Sequence, residues 1–165
     1  MSKNVTSTVI WGLWMLFVAA FFCGPIPPVQ AAMRLFTGQT VYVPVYSHIY
    51  SGDREQPFYL AATLSIRNTD RKHGITVAAV DYYDSQGKFL KHYLEKPLIL
   101  DAMATRRYVV PESDKSGGSG AKFIVIWQSD QPESEPLIES VMISTKTQQG
   151  ISFTSRGQVL EEVSP

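Results

Sequence analysis

Three histidines, His48, His73 and His92, are the scarcest acid–base and metal-binding side chains in this 165-residue chain apart from one cysteine. No two stand at a ligand spacing such as HxH or HxxxH, and none adjoins a carboxylate cluster in the sequence. A zinc or iron site would therefore need three separate loops to converge. No metal and no cofactor is expected. His73 falls in a turn segment and His92 alternates with Lys91 on a strand segment, so both read as surface histidines. His48 is kept as a candidate binding residue because it stands among Tyr42, Tyr46 and Tyr50, where a cleft would have aromatic walls.

Nucleophilic catalysis finds little support. Ser119 lies in Gly117-Gly118-Ser119-Gly120, but an activated-serine elbow needs a strand before the serine and a helix after it. Here the following residues, 121–128 (AKFIVIWQ), read as a strand. Paired carboxylates offer hydrolytic chemistry at Asp81 with Asp84, or Glu133 with Glu135. Asp81 stands in AAVDYY, where both faces are partly apolar. A carboxylate there is ordinarily held by backbone donors or a cross-strand arginine, with Arg67 and Arg107 as the candidates. Glu133 and Glu135 flank a proline-rich segment and read as solvated.

The glycine-rich stretch Asp114-Lys115-Ser116-Gly117-Gly118-Ser119-Gly120 lacks the spacing and following helix of a phosphate loop. Its glycines still permit positive φ and inward-pointing amides, a shape able to hold an anion or a partner carbonyl. The alternative is a flexible connection. As a binding surface, this loop predicts that Gly118→Val abolishes binding while most of the thermal stability survives.

The elements that must position these residues repeat with a period of two. In residues 60–67 (LAATLSIR), Leu60, Ala62, Leu64 and Ile66 share one strand face. Residues 40–46 (TVYVPVY) contain Pro44, which cannot donate to a ladder, and so read as an edge or bulged strand. Residues 75–84 and 88–94 flank Ser85-Gln86-Gly87 and read as a hairpin. Residues 105–111, 137–145, 150–155 and 158–160 are further strands. Residues 97–105 read as a short strand and a corner. Residues 121–128 are apolar on both faces and read as a central, covered strand. Turn-forming residues at 68–70, 116–120 and 130–136 separate them. The expected fold is all-β, an immunoglobulin-like antiparallel sandwich of about seven to nine short strands.

Ahead of the strands, Lys3 precedes an apolar run at residues 9–23, a Gly-Pro break, and small residues Val29 and Ala31. That is the pattern of a secretory signal over residues 1–31, cleaved before Ala32. Retention as a membrane anchor is the alternative, although the run falls short of the roughly 20 residues a bilayer core requires. Cleavage leaves 134 of 165 residues as a single domain over 32–165. The only cysteine, Cys23, leaves with the leader, so the mature chain has neither disulfide nor thiolate chemistry. Fourteen basic residues face fifteen acidic ones without clustering, which excludes a nucleic-acid partner.

With the strands placed, four ordered stretches resemble a bacterial family known as domain of unknown function 3124. They are residues 41–50 (VYVPVYSHIY), 64–70 (LSIRNTD), 116–121 (SGGSGA) and 149–157 (QGISFTSRG), and the resemblance spans about 38–160. Lys122 departs from the small polar residue associated with that position. The resemblance implies a small exported bacterial protein with no assigned activity, and it carries over no functional residues. The expected function is a non-catalytic binding or interaction module of the cell envelope. Its partner would be an envelope protein or small ligand, met in the periplasm or outside the cell. Membrane association is expected only if the leader is retained. The alternative is a hydrolase or carbohydrate-active domain built on carboxylates and tyrosines.

Overall fold

Strands that bury alternate side chains need a second apolar layer, and this chain supplies it with two antiparallel sheets. The computed structural model describes residues 34–53, 55–144 and 150–163. The leader read over 1–31 lies outside the described residues. Twelve strands run in the order β1 Leu35–Val45, β2 His48–Ser51, β3 Gln56–Tyr59, β4 Ala61–Arg67, β5 Ile75–Tyr83, β6 Phe89–His92, β7 Leu98–Leu100, β8 Thr105–Val110, β9 Ala121–Ser134, β10 Leu137–Ser144, β11 Ile151–Arg156 and β12 Gln158–Val163. One sheet has the order β12-β1-β9-β5-β6, with β7 also pairing with β5, and the other β11-β10-β4-β8. The β2–β3 hairpin stands as a separate ribbon.

The sandwich is as expected, with more strands than the seven to nine anticipated. The strands that were not anticipated are the four-residue pieces β2 and β3, whereas β6 and β7 fall where a hairpin strand and a short strand were expected. Among the described residues there is no helix, and so none long and apolar enough to cross a membrane.

One buried cluster joins the sheets. Val41, Val43 and Val45 of β1, Val77, Val80 and Tyr82 of β5, and Phe123, Val125 and Trp127 of β9 meet Ala62, Leu64 and Ile66 of β4 and Ile138 and Met142 of β10. Tyr82 and Tyr93 lie 5.0 and 5.3 Å from the Phe123 ring centroid, an aromatic packing worth more than its area alone. The indole N–H of Trp127 donates to Gln39 Oε1 at 3.1 Å, so its polar atom is not stranded in the core.

Three sequence expectations are corrected. β1 is not an edge strand: it pairs with β9 on one side and β12 on the other. Pro44 is tolerated because pairing with β12 ends at Tyr42, leaving no ladder bond on that side for it to break. The expected bulge exists, between Thr40 and Val41 against β12. β9 is central by pairing but covered on only one face, since Ile126 is 38 % exposed. Finally, residues 130–134 are strand rather than loop. Between Gly38 and Phe36, β1 advances two residues while β9 advances five, from Gln128 to Glu133. The polar, proline-containing residues between bulge out, and the strand resumes beyond them.

Phe123→Ala is expected to cost about 3–5 kcal/mol in urea denaturation, because the void it leaves sits among rings that cannot collapse into it. Ile99→Ala, at a side chain 71 % exposed, is expected to stay within about 0.5 kcal/mol of the parent.

Candidate functional site

The sandwich has two ends with different chemistry, and most of the residues singled out from the sequence gather at one. There the connection between β8 and β9 carries Ser116 to Gly120. Its conformation is fixed by the main chain of two other connections. Ser47 N–H donates to Gly118 O at 2.9 Å and Ser85 N–H to Gly117 O at 2.9 Å. The Ser85 hydroxyl donates to Gly117 O at 3.0 Å and accepts from Gly120 N–H at 2.9 Å. Asp114 Oδ1 accepts from Ser116 N–H at 2.9 Å and from the Ser116 hydroxyl, closing the entrance turn.

Two glycines are needed on steric grounds. A Cβ at Gly117 would land on the Tyr82 hydroxyl and lie 2.8 Å from Ser47 Oγ. Gly118 has φ +78°, and a Cβ there would also come within 2.5 Å of Ser85 Oγ. The expectation that Gly118→Val spares stability is therefore corrected: a β-branched residue at that φ is strained before any ligand is considered.

Beside the loop, the Lys115 ammonium lies 4.3 Å from the centre of the Tyr59 ring. His48 packs edge-on against Tyr59 at 5.9 Å and Tyr50 at 5.1 Å. Its aromatic neighbours are thus Tyr50 and Tyr59, whereas Tyr46 turns to Phe153 at 5.6 Å. His48 Nδ1 is buried with no hydrogen-bond partner among the described residues. Tyr82 reaches this end from the core, its hydroxyl 3.2 Å from Ser47 Oγ. Burial pushes that phenol above its ordinary pKa, and burial with Tyr82 and Asp114 nearby raises Tyr93 to about 12.

Asp81 does not join this group. It sits opposite His92 in the β5–β6 register and meets His92 Nδ1 at 2.8 Å, so the partner is histidine rather than Arg67 or Arg107. Arg67 instead pairs with Glu139 at 3.2 Å. The neighbouring Val80 and Tyr82 point into the core, which turns Asp81 to the outer face.

The opposite end holds a cluster that sequence reasoning missed. Asn68 is buried at the end of β4, and its amide N–H groups reach the carbonyls of His73 (2.8 Å), Leu100 (3.2 Å) and Asp101 (3.0 Å). Its Oδ1 accepts from Asp70 N–H at 2.9 Å. Within the turn so fixed, Asp70 Oδ1 accepts from Lys72 N–H at 2.7 Å and His73 N–H at 2.9 Å. Those backbone donors chiefly hold the Asp70 carboxyl down at about 2.

Glu133 faces this turn from β9. Read from the sequence as solvated, it is 0 % exposed. Its Oε1 lies 3.2 Å from His73 Nδ1, and the same nitrogen lies 3.5 Å from Asp70 Oδ1. No hydrogen bond reaches either Glu133 oxygen among the described residues. Burial, then the adjacent Asp70, raises its carboxyl above the ordinary range. The Asp70-x-x-His73 spacing was visible in the sequence. The arrival of Glu133 was not, because it depends on the bulge that restores β9 to the ladder opposite Phe36.

The match to known proteins can be set against this geometry. A family model described as "Protein of unknown function (DUF3124)" matches residues 38–160. The chain belongs to that family. Both ends of this DUF3124 sandwich, from Ser47 to Gly120 and from Asp70 to Glu133, fall within the matched residues. Comparison with curated proteins finds no match. One solved structure, "Crystal Structure of Thermotoga maritima 1070", is similar at 12 % identity with a TM-score of 0.45, covering 76 % of this chain and 97 % of that one.

Two outcomes are expected. Gly117→Ala should lower stability by about 1–3 kcal/mol, the usual range for overpacking, read by thermal or urea unfolding. In chelator-treated protein, Glu133→Gln should become progressively more stable than the parent as pH rises. A carboxyl with a raised folded pKa contributes fully below its unfolded value and loses that contribution as pH climbs through the folded one. Urea midpoints compared between about pH 4 and pH 8 should show the gap widening; a constant gap would remove the buried charge from the account.

Proposed function

We propose that this protein is an exported, non-catalytic binding module of the bacterial cell envelope whose recognition surface is the end carrying Ser116 to Gly120. The observation that supports this reading most is preorganisation. A glycine-rich loop would normally lose much entropy on being ordered by a ligand, but here Ser47 and Ser85 already hold its main chain. Around it stand groups suited to a polar or anionic partner: the Lys115 ammonium, the His48 ring, and Tyr50, which is 54 % exposed. Binding rather than turnover is the reading because the candidate carboxylate and the candidate imidazole of this surface do not meet. Asp81 is engaged by His92, while His48 is packed between tyrosines. Export rests on the leader pattern at residues 1–31.

A photo-crosslinking residue introduced at Tyr50 in the native host is expected to yield a discrete adduct in the envelope fraction. Lys115→Ala should weaken that adduct while leaving the melting temperature nearly unchanged, and the same probe at Ile99, on another exposed surface, should yield none. Equal adducts from both positions, or no loss with Lys115→Ala, would contradict the assignment of the surface. Intact mass of the envelope protein should correspond to a chain beginning at Ala32; retention of residues 1–31 would replace export by anchoring.

A further inference from the structure

We propose that Asp70, His73 and Glu133, at the end of the sandwich remote from the glycine-rich loop, form a three-ligand site for a first-row divalent cation, zinc above all. The inference starts with Glu133. A carboxylate removed from water needs compensation, from hydrogen-bond donors, an opposite charge or a proton. Its side chain is 1 % exposed, and among the described residues no well-aligned hydrogen bond reaches either oxygen; only His73 Nδ1, at 3.2 Å, and the adjacent Asp70 approach it. Both of its polar neighbours are themselves metal-ligand types, and one of them is another carboxylate.

The donor atoms are already gathered. One ligand atom from each of the three residues lies within 4.8 Å of the others. His73 Nδ1 is 3.2 Å from Glu133 Oε1 and 3.5 Å from Asp70 Oδ1. Ligands at about 2.0–2.1 Å from a tetrahedral zinc stand about 3.3–3.4 Å apart along each edge. The two separations from His73 Nδ1 bracket that value, and the third edge, between the Asp70 and Glu133 carboxylates, lies within 4.8 Å. An imidazole nitrogen beside two carboxylates also selects against magnesium and calcium, which take oxygen ligands. Two carboxylates neutralise a divalent ion, so the buried charge of Glu133 would no longer stand uncompensated. Three protein ligands leave a fourth position open, and with the His73 side chain 45 % exposed that position would face solvent.

The supports behind the ligands are those a metal site requires. Lys72 and His73 N–H groups fix Asp70 through Oδ1, the oxygen also 3.5 Å from His73 Nδ1, which leaves the second carboxylate oxygen without those bonds, and Asn68 fixes the turn by holding the His73 carbonyl. A cation would cross-link the β4–β5 turn to the end of β9, elements joined here by Thr69 Oγ1 donating to Glu135 O at 2.8 Å.

The test is calorimetric titration of zinc chloride into the purified, chelator-stripped full chain, with cobalt chloride as a spectroscopic probe. One zinc per chain is expected with micromolar or tighter affinity, together with a rise in melting temperature and tetrahedral cobalt absorption in the visible. Magnesium and calcium should produce none of these. Glu133→Gln and His73→Gln should each weaken zinc binding by at least about tenfold, the scale by which even supporting residues alter metal affinity. His73 is partly exposed, so its variant reads out binding even if Glu133→Gln folds poorly. Failure to take up zinc at micromolar concentration, or undiminished uptake by His73→Gln, would overturn the site and leave a proton shared between Asp70 and Glu133 as the compensation. The glycine-loop surface would be unaffected by that result.

Discussion

Strand β9 has to satisfy two neighbours at once, and both ends of the molecule follow from how it does so. It pairs with β1 on one side and β5 on the other, and Phe123, Val125 and Trp127 supply the middle of the core. A one-residue slip would turn those three outward and Ile124 and Ile126 inward, so the register is strongly determined. With the register fixed, β9 begins at Ala121, directly after the glycine-rich loop, and ends beside the Asp70 turn. The loop residues and Glu133 are therefore held by the same strand at opposite ends.

The two ends solve the problem of buried polar groups differently. At the loop end, main-chain carbonyls of Gly117 and Gly118 find donors in Ser47 and Ser85, the buried Ser47 and Tyr82 hydroxyls meet each other, and the Lys115 ammonium lies against Tyr59. At the other end, Asn68 alone serves three carbonyls and one N–H, and the turn it fixes sets Asp70 and His73 beside the buried Glu133 carboxylate. The first arrangement is a rigid outer surface. The second is a partly buried group of metal-ligand types with two carboxylates.

Much of the fold was legible from alternation. Leu64 and Ile66, and Phe123 and Val125, face the core, and the hairpin through Ser85-Gln86-Gly87 forms as its turn residues indicate, whereas Val77 and Val80 both face it only through an irregularity between Val77 and Ala79. What could not be read was pairing across distance. Pro44 suggested an edge because the early end of β12 pairing is not encoded near Pro44. The run Asp130-Gln131-Pro132 suggested a loop, and those residues do leave the ladder, but local composition cannot say that Glu133 rejoins it. The candidate sites divide the same way. The glycine loop and His48 were recognisable as unusual stretches, and Tyr59 reaches His48 only through the β2–β3 pairing. Asp81 was recognisable as an anomalous carboxylate, whereas its partner His92 depends on the hairpin register.

Diffraction from crystals grown with zinc, recorded at the zinc absorption edge, tests the central claim most directly, because it reports the β9 register and the cation together. The account predicts one strong anomalous peak about 2.0–2.2 Å from a ligand atom of each of Asp70, His73 and Glu133, with Glu133 opposite Phe36 in the ladder. An Asp70 carboxyl in direct contact with Glu133 and no peak between them, or a Glu133 side chain turned to solvent, would contradict it.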